Sequence, residues 1–178
     1  MINTIFLFGT MAGLIVISAI IAVIVASSGQ PEMGQHSELL GYTIMLVALS
    51  MIFFGVKSYR DRELGGVIRF LPAFMMGIGI SVVAGIIYVM VWEVYMAYTH
   101  YTFMDGYAAS YIAHQKAAGV SGAALDKVVA EMEHLKVQYA DPLFRLPMTF
   151  MEIFPVGFLI SLLSAAVLRR SNVLPARG

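Results

Sequence analysis

Cysteine is absent from this 178-residue sequence. That single absence excludes disulfides, CxxC redox chemistry, thiolate ligation of zinc or iron–sulfur clusters, and cysteine nucleophiles. Charge is also scarce: Asp, Glu, Lys and Arg make up 12% of the chain, against roughly 25% in an average soluble domain. Neither sign of charge is in excess. Eleven Lys and Arg balance eleven Asp and Glu, so no basic tail is available to neutralise phosphates, and nucleic acid is not expected as a partner. Disorder is excluded by a hydrophobic content of 60%, because disordered chains combine low hydrophobicity with high net charge. The signatures of common chemistries are missing too. There is no GxxxxGK[ST], no GxGxxG after a strand and no GxSxG elbow, and Glu133-His134 is not followed by the second histidine of HExxH. No catalytic residue, cofactor or metal is assigned, and the balance leans away from an enzyme.

What the sequence does contain is four long apolar runs. The first, Ile5 to Ala26, carries no charge. At 1.5 Å per residue it would cover about 33 Å, enough for a hydrocarbon core of about 30 Å. Its head has no Lys or Arg and its length exceeds a signal h-region, so an uncleaved anchor is expected. The second run is Leu39 to Val56, with Lys57 placed to snorkel. The third is Pro72 to Tyr98, long enough to tilt. The fourth is Thr149 to Leu168, containing Glu152 and Pro155 and ending at Arg169 and Arg170. None shows the ten-residue alternation of a membrane β-strand. The expected fold is all-α: residues 1–178 form one integral membrane domain, a four-transmembrane-helix bundle with an exported helical hairpin between helices 3 and 4.

Charges suggest the orientation. The short stretch Lys57 to Leu71 holds Lys57, Arg60, Arg62 and Arg69, and the tail adds Arg169, Arg170 and Arg177. The Ser27–Glu38 and Thr99–Leu146 stretches hold fewer basic residues and most of the acids. By the positive-inside rule both termini are cytoplasmic, in a bacterial inner membrane. The hairpin is expected over about 103–141. Tyr107 and Tyr111 stand at i,i+4 in its first helix, Gly119 to Gly122 breaks it, and Ser121 is placed to cap the restart. Leu125, Val128, Val129, Met132, Leu135 and Tyr139 recur at helical spacing in the second helix, which Asp141-Pro142 ends. That stripe reads first as packing and second as a docking surface.

The run from Gly41 to Gly66 carries a recognisable pattern: Gly41-Tyr42, Met45, the stretch Ser50 to Gly55, Lys57, Tyr59-Arg60-Asp61 and Gly65-Gly66. It resembles a bacterial membrane-protein family catalogued as the domain of unknown function numbered 4199, and the likeness extends over most of the chain. The resemblance implies a small four-helix envelope protein with no established activity, and it transfers no catalytic or binding residue.

Three features invite a functional reading. Tyr59, Arg60, Asp61 and Arg62 with Gly65 and Gly66 form the densest polar motif, expected as a cytoplasmic turn tied by internal ion pairs, with Arg62 and Arg69 near lipid phosphates. A partner- or lipid-recognition loop is the sharper reading. Glu93 and Glu152 sit within the third and fourth runs, near their exported ends. If they share one layer, they could hold a proton or a cation between them; if Trp92, Tyr95 and Tyr98 mark the interfacial belt, both are interfacial carboxylates. His100 follows Glu93 by two turns and completes a nominal ion-ligand trio with the glutamates, although ordinary loop histidine is the plainer reading. Small residues recur at four-residue intervals as the pair Gly9 and Gly13, as Ser18, Ala22 and Ala26 further along the same helix, and as Gly77, Ser81 and Gly85. They read as packing faces, with a homodimer seam as the alternative.

Two functions follow. One is a non-enzymatic scaffold, assembly or accessory subunit contacting membrane lipids and a membrane-protein partner or a second copy. The other is a small ion- or proton-coupled solute carrier using Glu93 and Glu152.

Overall fold

The computed structural model describes residues 1–26 and 35–175, with side chains taken up again from residue 39. Part of the expected Ser27–Glu38 connection, and Arg177, lie outside the described residues. Six helices follow in chain order: α1 Ile2–Ala26, α2 Gln35–Glu63, α3 Phe70–Tyr98, α4 Phe103–Ala117, α5 Ala123–Ala140 and α6 Pro142–Leu168. Of these, α1, α2, α3 and α6 are long and apolar enough to cross a membrane. Phe6, Leu46, Met90 and Leu163 are exposed on their outer faces, as suits a surface bathed in acyl chains. The fold is the expected all-α four-span bundle, with α4 and α5 as the hairpin between the third and fourth spans.

The spans pack as a ring. α1 lies against α2 and α3, and α6 against α3 and α2. Consecutive spans alternate in direction, so α1 runs parallel to α3 and α2 runs parallel to α6.

Apolar area alone does not drive helix association in lipid, so close approach of backbones has to contribute. A Cβ on Gly9 would lie 2.6 Å from the Val83 Cβ, and one on Gly85 would lie 2.5 Å from Phe150 Cε2. The tightest contact is between α3 and α6, where a Cβ on Gly157 would fall 2.0 Å from Ser81 Oγ. The Gly9/Gly13 and Gly77/Ser81/Gly85 faces are therefore buried inside the monomer, whereas Ser18, Ala22 and Ala26 stay exposed. Replacing Gly157 with Ala should destabilise the bundle by about 1–3 kcal/mol through overpacking. Adding Ser81→Gly should recover part of that loss. Thermal unfolding in detergent checks both; an unchanged midpoint for Gly157→Ala would refute the contact.

Several boundaries differ from the sequence reading. The second span continues past Val56 to Glu63, so Tyr59, Arg60, Asp61 and Arg62 are the last turns of a helix and not a loop. Lys57 and Asp61 pair at i,i+4, which supports those turns. The turn proper is at Gly65 and Gly66, with φ of +64° and +89°, a region costly to most other residues. The last span begins at Pro142, because proline suits a first helical position and the Asp141 carboxylate accepts from the Leu143 N–H at 2.9 Å. Asp141-Pro142 thus ends one helix and opens the next. In the hairpin, α5 is preceded by Gly122 with no side-chain cap, so Ser121 does not play the expected role. The Tyr107 and Tyr111 rings do stack, at 6.4 Å. Of the α5 stripe, Leu135 and Tyr139 reach the bundle core, while Leu125, Val128 and Met132 are half-buried.

Candidate functional site at the foot of the hairpin

Glu93 lies near the end of α3, and Arg145 lies just inside the start of α6. Because these helices are antiparallel neighbours, the two side chains arrive at one level. Arg145 Nε donates to Glu93 Oε1 at 2.7 Å and Nη2 donates to Oε2 at 2.8 Å, the two-pronged geometry that guanidinium and carboxylate favour. Nη1 donates to the Tyr139 carbonyl at 2.8 Å and the Ala140 carbonyl at 3.3 Å. Those carbonyls end α5, where a cation complements the helix dipole. Arg145 is 2% exposed and lies over the rings of Tyr101 and Tyr139, 5.2 and 5.9 Å from their centroids. One guanidinium therefore ties together α3, α5, α6 and the turn after α3.

That turn is unusual. The Tyr101 N–H donates to the Met96 carbonyl and the His100 N–H to the Ala97 carbonyl, the pattern that closes a helix with a left-handed residue. Glycine fills that position at Gly119, after α4, with φ +89°. After α3 it is filled by His100 at φ +51°, followed by Tyr101 at +59°. Two successive non-glycine residues in this region carry strain, and the stacking of Tyr101 under Arg145 offsets it. His100 itself is exposed.

Aromatic contacts extend the cluster. Trp92 Nε1 donates to the Tyr139 hydroxyl at 2.9 Å, and Trp92 meets Phe103 edge to face at 4.9 Å. Burial pushes the Tyr139 phenol above its ordinary range. Lys136 bridges to Asp105 at 2.9 Å, joining α5 to α4, and the hydrogen bond to Asp105 holds its ammonium above the usual lysine range. Around these groups is a pocket of about 280 Å³, lined among others by Met96, Tyr101, Met104, Lys136 and Arg145.

Glu152 does not join this cluster. The Tyr88 hydroxyl donates to its Oε2 at 3.0 Å, on the seam between α3 and α6, and the Glu152 side chain is exposed. The two glutamates thus have separate partners and form no shared carboxylate layer. Among the described residues, no three His, Cys, Asp or Glu side chains are placed to hold a metal ion, so the nominal Glu93–His100–Glu152 trio does not assemble. The sequence reading missed Arg145, counting it only as a loop charge. Its signal was positional: three residues into a span, it sits opposite a glutamate five residues from the end of the preceding span.

At the opposite end of the bundle, Arg60 is fully buried. Nε donates to Asp61 Oδ1 at 2.7 Å. The other nitrogens donate to the carbonyls of Leu168 at 3.4 Å, Val173 at 3.0 Å and Leu174. The Gly66 N–H returns to the Arg60 carbonyl at 2.9 Å. Tyr59 packs against the core, while Arg62 and Arg69 are exposed. Arg60, expected in a loop, instead clamps the end of α6 and the segment that follows it.

A family model described as "Protein of unknown function (DUF4199)" matches residues 7–170. No curated protein and no solved structure matches the chain.

Proposed function

The chain belongs to this DUF4199 family of bacterial proteins, and on that premise we propose that it is a non-enzymatic accessory or scaffold subunit of the bacterial inner membrane. Both termini lie in the cytoplasm, and the α4–α5 hairpin is presented on the exported face to a membrane-protein partner. The observation that carries this reading is the Arg145 junction. A buried two-pronged ion pair that also binds the last carbonyls of α5 holds the hairpin's foot, which is what a rigid platform requires. A carrier working through Glu93 and Glu152 would need both carboxyls to face one internal cavity. Glu93 is instead closed by Arg145 and Glu152 is turned to the surface, so nothing in the geometry favours that reading.

The test is intact-mass analysis of the protein released gently in native membrane patches. The expected result is one protein partner at fixed stoichiometry, lost when Val137, 73% exposed on α5, is changed to Asp. Arrival alone, or with only a small molecule, would overturn the reading. The absence of cysteine allows a clean check of orientation: Ser121→Cys at the hairpin tip should react with a membrane-impermeant thiol reagent from the exported side, and reaction only from the cytoplasmic side would reverse the topology.

A further inference from the structure

Glu152 has a second peculiarity that the accessory-subunit reading does not use. It lies seven residues beyond Arg145 on α6, and its partner Tyr88 lies five residues before Glu93 on α3. At 1.5 Å per residue both groups are about 7–10 Å deeper in the bundle than the Glu93–Arg145 pair. The Glu152 side chain is nevertheless on the outside, beside Met148, 38% exposed, and Met151, 56% exposed. In a membrane these methionines face acyl chains. Tyr88, 3% exposed, backs the carboxyl from α3. Of its two oxygens, Oε2 accepts from Tyr88, and no described residue bonds to Oε1.

Among the described residues, no cation pairs with Glu152. The groups facing Glu152 are the Tyr88 hydroxyl from α3 and, farther off, the Tyr139 phenol of α5, whose ionisation Glu152 disfavours. Arg145 is engaged by Glu93 and two carbonyls. Lys57 and Arg60 are engaged at the other end. Pro155, lacking an N–H, also leaves the Met151 carbonyl without its usual donor one turn on. The Thr149 hydroxyl, one turn back on α6, is buried and unpartnered and does not reach the outward-facing carboxyl, so an ionised carboxylate here would face hydrocarbon with a single hydrogen bond.

We propose that Glu152 and Tyr88 form a proton-binding site that opens directly onto the acyl chains at the α3–α6 seam, with Glu152 standing in the membrane as the neutral acid. Tyr88 fixes Oε2 as acceptor, so the bound proton sits on Oε1, the oxygen without a partner. This inference is independent of the proposed function.

The experiment uses the full chain in its native membranes and two carbodiimides, one hydrophobic and one water-soluble. A carboxylic acid adds across one C=N bond of the reagent. The oxygen joins the central carbon and the acid's proton goes to nitrogen, and the acyl group then migrates to nitrogen. Nothing leaves, so the intact mass rises by one whole reagent molecule. At pH 7 a glutamate with the ordinary value of about 4.3 is protonated only about one part in 500 and reacts correspondingly slowly.

The expected result is one adduct with the hydrophobic reagent at pH 7, located to Glu152 by fragmentation. It is absent from Glu152→Gln and largely absent with the water-soluble reagent. Its rate should change by less than about twofold between pH 5.5 and 7.5, where an ordinary carboxyl would lose about a hundredfold. Location by fragmentation uses the wild-type chain and so holds whether or not the variant folds. No adduct, equal labelling by the water-soluble reagent, or the ordinary hundredfold decline would each overturn the site. Suppression of the adduct by millimolar Na⁺ would overturn it as well, by putting a metal cation where the proton is assigned.

Discussion

Changing Arg145 to Met should destabilise the protein by about 3 kcal/mol, near the lower end of the range for breaking a buried pair. The lower end applies because the Arg145 side chain is 3% exposed but Glu93 is 26% exposed, so water can partly solvate the orphaned carboxylate. The damage has three sources: Glu93 loses its cation, the Tyr139 and Ala140 carbonyls lose their donor, and Tyr101 loses the stacking that offsets its backbone strain. Two comparisons identify the cause. Arg145→Lys should rescue little, since an ammonium cannot match the two-pronged carboxylate and reach two carbonyls at once. Arg145→Met combined with Glu93→Gln should be milder than Arg145→Met alone, because no unpaired charge remains. Thermal unfolding in detergent measures the sum, and protease cleavage near Gly119 to Gly122 reports hairpin release. If the double variant were no better than the single one, the pair would not be the source of the effect.

At the other end, Arg60→Met should cost about 2–3 kcal/mol, in line with losing charge-assisted bonds to buried acceptors. The expected effect is smaller than at Arg145 because Asp61 keeps Lys57 as a partner. What distinguishes this variant is where it loosens the fold. The carbonyls of Leu168, Val173 and Leu174 all rely on this guanidinium, so hydrogen exchange should quicken over residues 169–174 and leave the hairpin unaffected. Asp61→Asn should have a weaker effect at the same place. Unchanged exchange in the tail of Arg60→Met would refute the clamp.

These two arginines also mark where sequence reasoning reaches and where it stops. The four spans were legible because each needs about twenty consecutive apolar residues, a local property. The hairpin was legible from the glycines that break it. Helix ends were not, because hydropathy falls before the helix does: α2 keeps its hydrogen bonds past Lys57 through an i,i+4 pair, and α6 starts in a polar segment capped by Asp141. The Glu93–Arg145 pair joins residues 52 apart, and the Arg60 clamp joins residues 108 to 114 apart. Neither has a local signature, and each required knowing which spans are neighbours. The Gly77/Ser81/Gly85 face was visible as spacing, but whether α6 or another molecule filled it was not. That Glu152 faces outward depends on the rotation of α6, which two interrupting prolines, Pro147 and Pro155, made hard to project.

The span of 52 residues between Glu93 and Arg145 also sets an order of events at the ribosome. At roughly 5–20 residues per second, the arginine is made about 3–10 s after the glutamate. During that interval three spans are in place, with a carboxylate near the boundary that has no counter-charge and an α3 groove that has no α6. The nascent protein passes through a three-span state whose open side is the side α6 will later close. Insertion machinery that shelters a half-finished bundle has a defined surface to shelter here, until α6 is added far enough to seat Gly157 and Ser161 against Ser81 and Gly77.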